Sequence, residues 1–261
     1  MKMLKDSEKK YIDFSAKILR DLSARKPLVH IISNIVTIES VADMVLATGA
    51  SPIAAHAPEE VAEITQQANS LLLNTGTPDT PRFEAYLKAG NAAREKGIPV
   101  IFDPVGVGIS KFRSRISRTI ITNVKPTIIR MNHGEAAFIV RSEKNSLKGV
   151  DSVGDPVDES ELINFAKENS VILVVTGAIN RVTNGRETFE TKLGNPLLRK
   201  ITGGGCMLDA VIASFVTSTL GTIFDRTIAA LVFYNYLSMK LKEGDVKRQL
   251  ITLVREYKEE L

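Results

Sequence analysis

Short β-rich runs at 28–32, 51–54, 70–74, 98–103, 127–131 and 171–176 alternate with segments of helical apolar periodicity at 37–48, 58–69, 80–96, 113–124, 133–141 and 158–169. Several of the runs, such as Leu28-Val-His-Ile-Ile32 and Val171-Ile-Leu-Val-Val175, have almost no polar face. A strand apolar on both sides has to be covered on both sides, and strands alternating with amphipathic helices build a parallel sheet between two helical layers. Sheets of that kind hold ligands outside the carboxyl ends of their strands. An additional helix is expected over 7–25, where Tyr11, Phe14, Ile18 and Leu22 form a stripe. Arg181 to Glu190 reads as a hairpin with Asn184-Gly185 as a type I′ turn, and 205–220, 225–242 and 246–260 read as helices. No low-complexity linker divides the 261 residues, so the reading is one domain over 1–261, with an N-terminal helix within 1–26 and C-terminal helices within 221–261.

Composition removes several classes of function. With 44% hydrophobic and 25% charged residues the chain has ample material for a core. Its formal charge of +4 arises from Lys and Arg interleaved with Asp and Glu, without a basic stripe or an aromatic stacking motif, so nucleic acid is not an expected partner. No apolar run reaches membrane-spanning length, and the charged Met1–Lys10 segment, lacking an apolar core, is not expected to act as a signal peptide. The lone cysteine cannot form an intrachain disulfide, which fits a reducing compartment such as the cytoplasm.

Small and polar residues gather where the strands end: Ser33-Asn34, Ala55-His56, Asn74-Thr-Gly-Thr77, Asp103-Pro-Val-Gly-Val-Gly108, Asn132-His-Gly-Glu135 and Thr176-Gly177. Asp103 could orient a metal or its water, as phosphoryl transfer from a nucleotide–Mg²⁺ complex requires, or could cap a turn. Asn132 and Glu135 could face a hydrated Mg²⁺ together, or could form a capping box at a helix start. Arg130, in an otherwise apolar strand end, suits phosphate oxygens or a structural salt bridge. His30, His56 and His133 show no spacing suited to zinc.

The segment Ile201-Thr-Gly-Gly-Gly-Cys206 runs three glycines into an apolar helix-length stretch. Glycines free backbone N–H groups to face a ligand, and a helix starting at Gly205 or Cys206 adds its positive dipole end. That makes Gly203, Gly204 and Gly205 an anion cradle and puts Cys206 where a thiolate is favoured, although a cysteine on an apolar helix is also an ordinary core residue.

In this order, Pro27-Leu-Val-His30, Asn34-Ile-Val-Thr37, Gly49-Ala-Ser-Pro52, Ala55-His-Ala-Pro-Glu-Glu60, Asn74-Thr-Gly-Thr77, Phe102-Asp-Pro-Val-Gly-Val-Gly108, Phe112-Arg113, Lys148-Gly-Val-Asp-Ser152, Val175-Thr-Gly177 and Gly205-Cys206 resemble the hydroxyethylthiazole kinase family of the ribokinase-like superfamily. The likeness spans roughly residues 25 to 220. It implies a three-layer α/β ribokinase-like fold, with a mostly parallel central sheet and helices on both faces. The implied activity is ATP- and Mg²⁺-dependent phosphorylation of the primary alcohol of 4-methyl-5-(2-hydroxyethyl)thiazole for thiamin synthesis, in a homotrimer with active sites between subunits. By the same resemblance, Asn34, the segment around Val36, Ala54 and Gly203 line the thiazole pocket, and Arg130 and Thr176 contact ATP phosphates. Asp103, Glu135 and Asn132 order Mg²⁺ and its waters. Gly203, Gly204 and Gly205 supply the anion hole, and Cys206 stands as the base.

Several positions depart from the pattern that the family implies. Gly204 replaces a threonine, Ala54 a methionine, Met131 a glycine and Asp209 a small residue, while Asn180 and Asn195 stand for an acid and a histidine. These changes bear on substrate more than on fold. They leave room for a kinase of another hydroxyalkyl heterocycle such as a hydroxymethylpyrimidine, for nucleotide-dependent dehydration of a hydrated nicotinamide cofactor, or for a non-catalytic homologue that binds nucleotide or thiazole.

Overall fold

The computed structural model describes residues 4–144 and 157–261, so the segment Lys148–Ser152 of the resemblance lies outside the described residues. Strands β1 (Leu28–Ile32), β2 (Ser51–Ala54), β3 (Ser70–Asn74), β4 (Val100–Asp103), β5 (Ile128–Asn132) and β6 (Ile172–Thr176) run parallel, and β7 (Asn180–Thr183) and β8 (Thr188–Thr191) add an antiparallel edge. Their order is β2-β1-β3-β4-β5-β6-β7-β8. This is the α/β, mostly parallel architecture expected from the apolar runs.

One face of the sheet carries α1 (Asp6–Arg25), α2 (Ile38–Thr48), α8 (Gly204–Phe215), α9 (Ile223–Ser238) and α10 (Val246–Glu259). The other carries α3 (Val61–Gln67), α4 (Thr80–Lys96), α5 (Lys111–Thr119), α6 (His133–Lys144) and α7 (Glu159–Asn169). Two cores result, and the strands feed them alternately: Ile101, Ile128, Ile172 and Val174 belong to the first, while Val100, Phe102, Ile129, Leu173 and Val175 belong to the second. That alternation with no polar side is why the runs read as continuously apolar. Helix α8 is buried on nearly every side because it lies on β3 and β4 between α2 and α9. Among the described residues no helix is long and apolar enough to cross a membrane.

Three local features differ from the sequence reading. The segment expected as one helix over 113–124 is α5 followed by a π-type turn over Ile120–Val124 that ends on Lys125 in the left-handed region, φ +55°. Helix α8 stops at Phe215 rather than 220, where Thr217 and Ser218 fold back on Ser214 and Phe215 through i→i−3 bonds. The β7–β8 connection is a four-residue loop rather than a two-residue type I′ turn. Only Gly185 takes a positive φ there; Asn184 instead accepts the N–H groups of Arg186 and Glu187 on its side-chain oxygen, which satisfies the loop without forcing Asn184 itself left-handed.

Candidate active site

Period two sets the site. Leu72, Ile101, Ile128 and Val174 point into the α8-side core, and two residues further along the same strands stand Asn74, Asp103, Arg130 and Thr176. Each strand on this face therefore ends with a polar group pointing to the same side as the apolar residue beneath it. The β3–β4 register pairs Asn74 with Asp103 directly. Helix α8 begins above this row, with Gly203 as its N-cap in the left-handed region at φ +93°.

Asp103 is fully buried at the centre of the row. Its Oδ2 accepts from Asn74 Nδ2 at 2.5 Å and Arg130 Nη2 at 2.5 Å, while its Oδ1 has no partner. Asp209, also fully buried, takes Arg130 Nε and Nη2 on its two oxygens, each at 2.8 Å. Two carboxylates thus share one guanidinium away from water. Burial, reinforced by Asp209 and Cys206, pushes the Asp103 carboxyl well above the ordinary carboxylate range despite the opposing pull of Arg130.

Cys206 sits in the first turn of α8 and is buried. Its Sγ accepts from Asn74 Nδ2 at 3.4 Å and Asn34 Nδ2 at 3.6 Å, and lies 4.0 Å from Asp103 Oδ2. Asn34 is oriented in turn: its Nδ2 donates to Asn74 Oδ1 and its Oδ1 accepts the backbone N–H groups of Val36 and Thr37. The neighbouring Ile35 and Val36 are 65% and 61% exposed, so the Asn34 loop presents apolar side chains to solvent beside Cys206. Ala54, at the end of edge strand β2, is exposed and pairs with Ile31 of β1.

The glycine run is dictated by close approach on three sides. A Cβ at Gly203 would lie 2.7 Å from Thr37 Cγ2, at Gly204 2.7 Å from the Leu198 carbonyl oxygen, and at Gly205 2.7 Å from the Arg130 guanidinium. The threonine expected at 204 has no room under the 3₁₀ turn Pro196–Arg199 that brings Leu198 in. Met207 N–H bonds the Gly203 carbonyl, and the N–H groups of Gly204, Gly205 and Cys206 meet no protein acceptor among the described residues.

On the far side of that helix start lies a cleft of about 830 Å³, walled by Arg130, Asn132, Thr176, Gly177, Gly204, Gly205 and Tyr234 among others. Thr176 Oγ1 donates to the Met131 carbonyl, Asn180 bridges Gly177 and Leu193, and Asn195 caps the 3₁₀ turn. Tyr234 donates to the Gly204 carbonyl and steadies the first turn of α8. Asn132 and Glu135 form the capping box at α6: Asn132 N donates to Glu135 Oε2 and Glu135 N to Asn132 Oδ1, each at 2.9 Å, while Glu135 Oε1 accepts from Gly106 N. They border a second cavity of about 580 Å³ with Gly106, Val107 and Phe138.

The structure therefore brings Asn34, Asp103, Arg130 and Cys206 into one hydrogen-bonded neighbourhood with Gly205 packed directly over Arg130, and sets Thr176 and Asn132 along the adjoining cleft; Glu135 is joined to it through Asn132, and Ala54 stands apart. The sequence reading missed Asn74, which bonds three of these groups, and missed that Asp209 completes the pairing of Arg130. Parity was the available signal for Asn74: it is the polar end of an apolar strand, two residues past a core leucine. Arg113 was also missed as a clasp; its guanidinium donates to the carbonyls of Thr75, Gly76 and Val105 and holds the β3 and β4 loops together.

Residues 19–254 match the model of the hydroxyethylthiazole kinase family. The chain is 39% identical to a hydroxyethylthiazole kinase of Thermoanaerobacter pseudethanolicus over 84% of this chain and 82% of that protein. It is 36% identical to that of Pyrococcus horikoshii over 88% and 86%. The solved structure of a hydroxyethylthiazole kinase from Pyrococcus horikoshii OT3 superposes with a TM-score of 0.79 at 30% identity, covering 94% of this chain and 93% of that one. A ribokinase-like superfamily protein from Enterococcus faecalis, at 14% identity and a TM-score of 0.64, shares the fold.

Gly204→Thr places a Cβ against backbone rather than a flexible side chain and is expected to lower stability by about 1–3 kcal/mol, the usual scale of overpacking. Chemical denaturation at matched conditions checks this.

Proposed function

This chain belongs to the hydroxyethylthiazole kinase family and is a kinase; on that basis we propose that it transfers the γ-phosphoryl group of ATP to the primary alcohol of 4-methyl-5-(2-hydroxyethyl)thiazole. The observation that carries this reading is the position of the α8 start. Cys206 and Asn34 lie on one side of it, and the large cleft with Arg130 and Thr176 lies on the other. An alcohol held near Asn34 and Val36, with a nucleotide in the cleft, would face each other across the unbonded N–H groups of Gly204, Gly205 and Cys206.

In that arrangement the alcohol oxygen bonds to the γ-phosphorus as the bond to the bridging oxygen of ADP breaks, and the hydroxyl proton passes to Cys206 Sγ. Asn34 and Asn74 hold the sulfur by donating to it. The amides of the glycine run and the positive end of α8 offset charge on the equatorial phosphoryl oxygens. Arg130 offers Nη1, the nitrogen its two carboxylates leave free.

Mg²⁺ suits the donor set at the α6 start. Asn132, at the border of both cavities, and Glu135, on the second, provide hard oxygen ligands, and Asp103 keeps one buried oxygen unpartnered. Glu135 and Asn132, with Asp103 through its free Oδ1, would hold the ion and its waters. Bound there, Mg²⁺ would neutralise charge on the β- and γ-phosphates. The soft thiol and the Arg130 cation make the Asp103–Cys206–Asp209 group a poor place for it.

The exposed Ile35 and Val36 beside Asn34 offer an apolar surface that a neighbouring subunit would cover, in keeping with the homotrimer and cytoplasmic location that the family resemblance and the lone cysteine suggest. Light scattering is expected to give three chains per particle, and a monomer with full activity would remove the shared pocket. A panel of alcohols assayed for Mg²⁺-dependent ATP consumption tests the substrate. Preference for hydroxyethylthiazole is expected; preference for a hydroxymethylpyrimidine, or binding without transfer, would overturn the reading. Cys206→Ser is expected to lower kcat by about ten-fold or more while ATP still binds, because an alcohol is a far weaker proton acceptor than a thiolate. Near-normal turnover in that variant would take the proton away from Cys206.

A further inference from the structure

We propose that Asp209 is a positioning residue for the nucleotide: it clamps the Arg130 fork so that Nη1 alone is offered to the large cleft. A guanidinium carries five N–H donors in a rigid plane. The single donor on Nε goes to Asp209 Oδ1, and Nη2 is shared by Asp209 Oδ2 and Asp103 Oδ2. Nη1 bonds no protein acceptor among the described residues, although Arg130 lines the cleft and lies directly beneath Gly205.

One carboxylate charge neutralises Arg130, so two fully buried carboxyl groups on one guanidinium exceed what neutrality requires and add a desolvation cost. What only Asp209 contributes is a two-point geometry. Contact with Asp103 through Nη2 is a single point about which the planar group can swing. The bidentate pair with Asp209 adds a second edge and fixes the plane. Asp209 stands three residues after Cys206 on the same helix, so the clamp ties the phosphate-facing cation to the helix start that carries the thiol.

This inference rests on assigning the large cleft to the nucleotide, and the test separates the two. ADP binding by calorimetry without alcohol, and steady-state KM for each substrate, are compared for the wild-type protein, Asp209→Asn, Asp209→Ser, Arg130→Lys and the Arg130→Lys/Asp209→Asn double variant. Two substitutions at 209 guard against one failing to fold. Asp209→Asn and Asp209→Ser are expected to weaken nucleotide about ten-fold while KM for the alcohol stays within about two-fold. The double variant is expected to bind no more weakly than Arg130→Lys alone, as residues acting through one contact do. Unchanged nucleotide affinity at 209, equal losses for both substrates, or additive losses in the double variant would overturn the clamp. Failure of the wild-type protein to bind ADP would overturn the cleft assignment and the clamp with it.

Discussion

A single guanidinium held between two carboxylates under the start of α8 is the constraint on which the rest of the site depends. Arg130, Asp103 and Asp209 are all buried, and isolated charges in that position are costly, so each must be matched closely by the others. The match fixes where β4, β5 and α8 can lie relative to one another. It also explains Gly205: with the guanidinium directly below, no side chain fits, and the helix start is left as bare backbone facing the cleft. The unbonded N–H groups of that helix start are therefore a by-product of packing a helix over an ion pair as much as of glycine flexibility.

Asn74 extends that constraint to the other half of the site. Its amide links the Asp103 carboxylate, the Cys206 sulfur and the Asn34 side chain, and its carbonyl accepts from Tyr86 on α4. A polar chain thus runs from the exposed Asn34 loop to the ion pair without a water-filled gap in the hydrogen bonding. Such chains specify one arrangement strongly because every member loses a partner if one moves.

Much of this could be read from residues alone, for reasons that vary with position. Apolar runs of strand length and helical stripes carry their period in local sequence, so the layers and the strand ends were legible, as were Asp103, Arg130 and the glycine run. The pairing of Arg130 with Asp209 spans 79 residues and depends on α8 lying on β3 and β4 so that its first turns reach the end of β5, which no local pattern encodes. Asn132 and Glu135 illustrate the opposite case: the sequence offered a capping box and a metal site as rivals, and the capping bonds are present without consuming every lone pair of the carboxylate. Asn184-Gly185 misled because the pair suits a type I′ turn, whereas side-chain acceptance by Asn184 stabilises a longer loop equally well.

The Glu135 carboxylate has one further implication. Its two oxygens hold the Asn132 and Gly106 amides, so it already balances the positive end of α6 and pins the turn that follows β4. A divalent ion held as proposed would draw on the same oxygens and withdraw negative charge from those amides. Were the proposed ion site occupied, its effect would be carried along the peptide backbone into the Pro104–Gly108 turn, and amide hydrogen exchange at Gly106 would report the ion some distance from any phosphate.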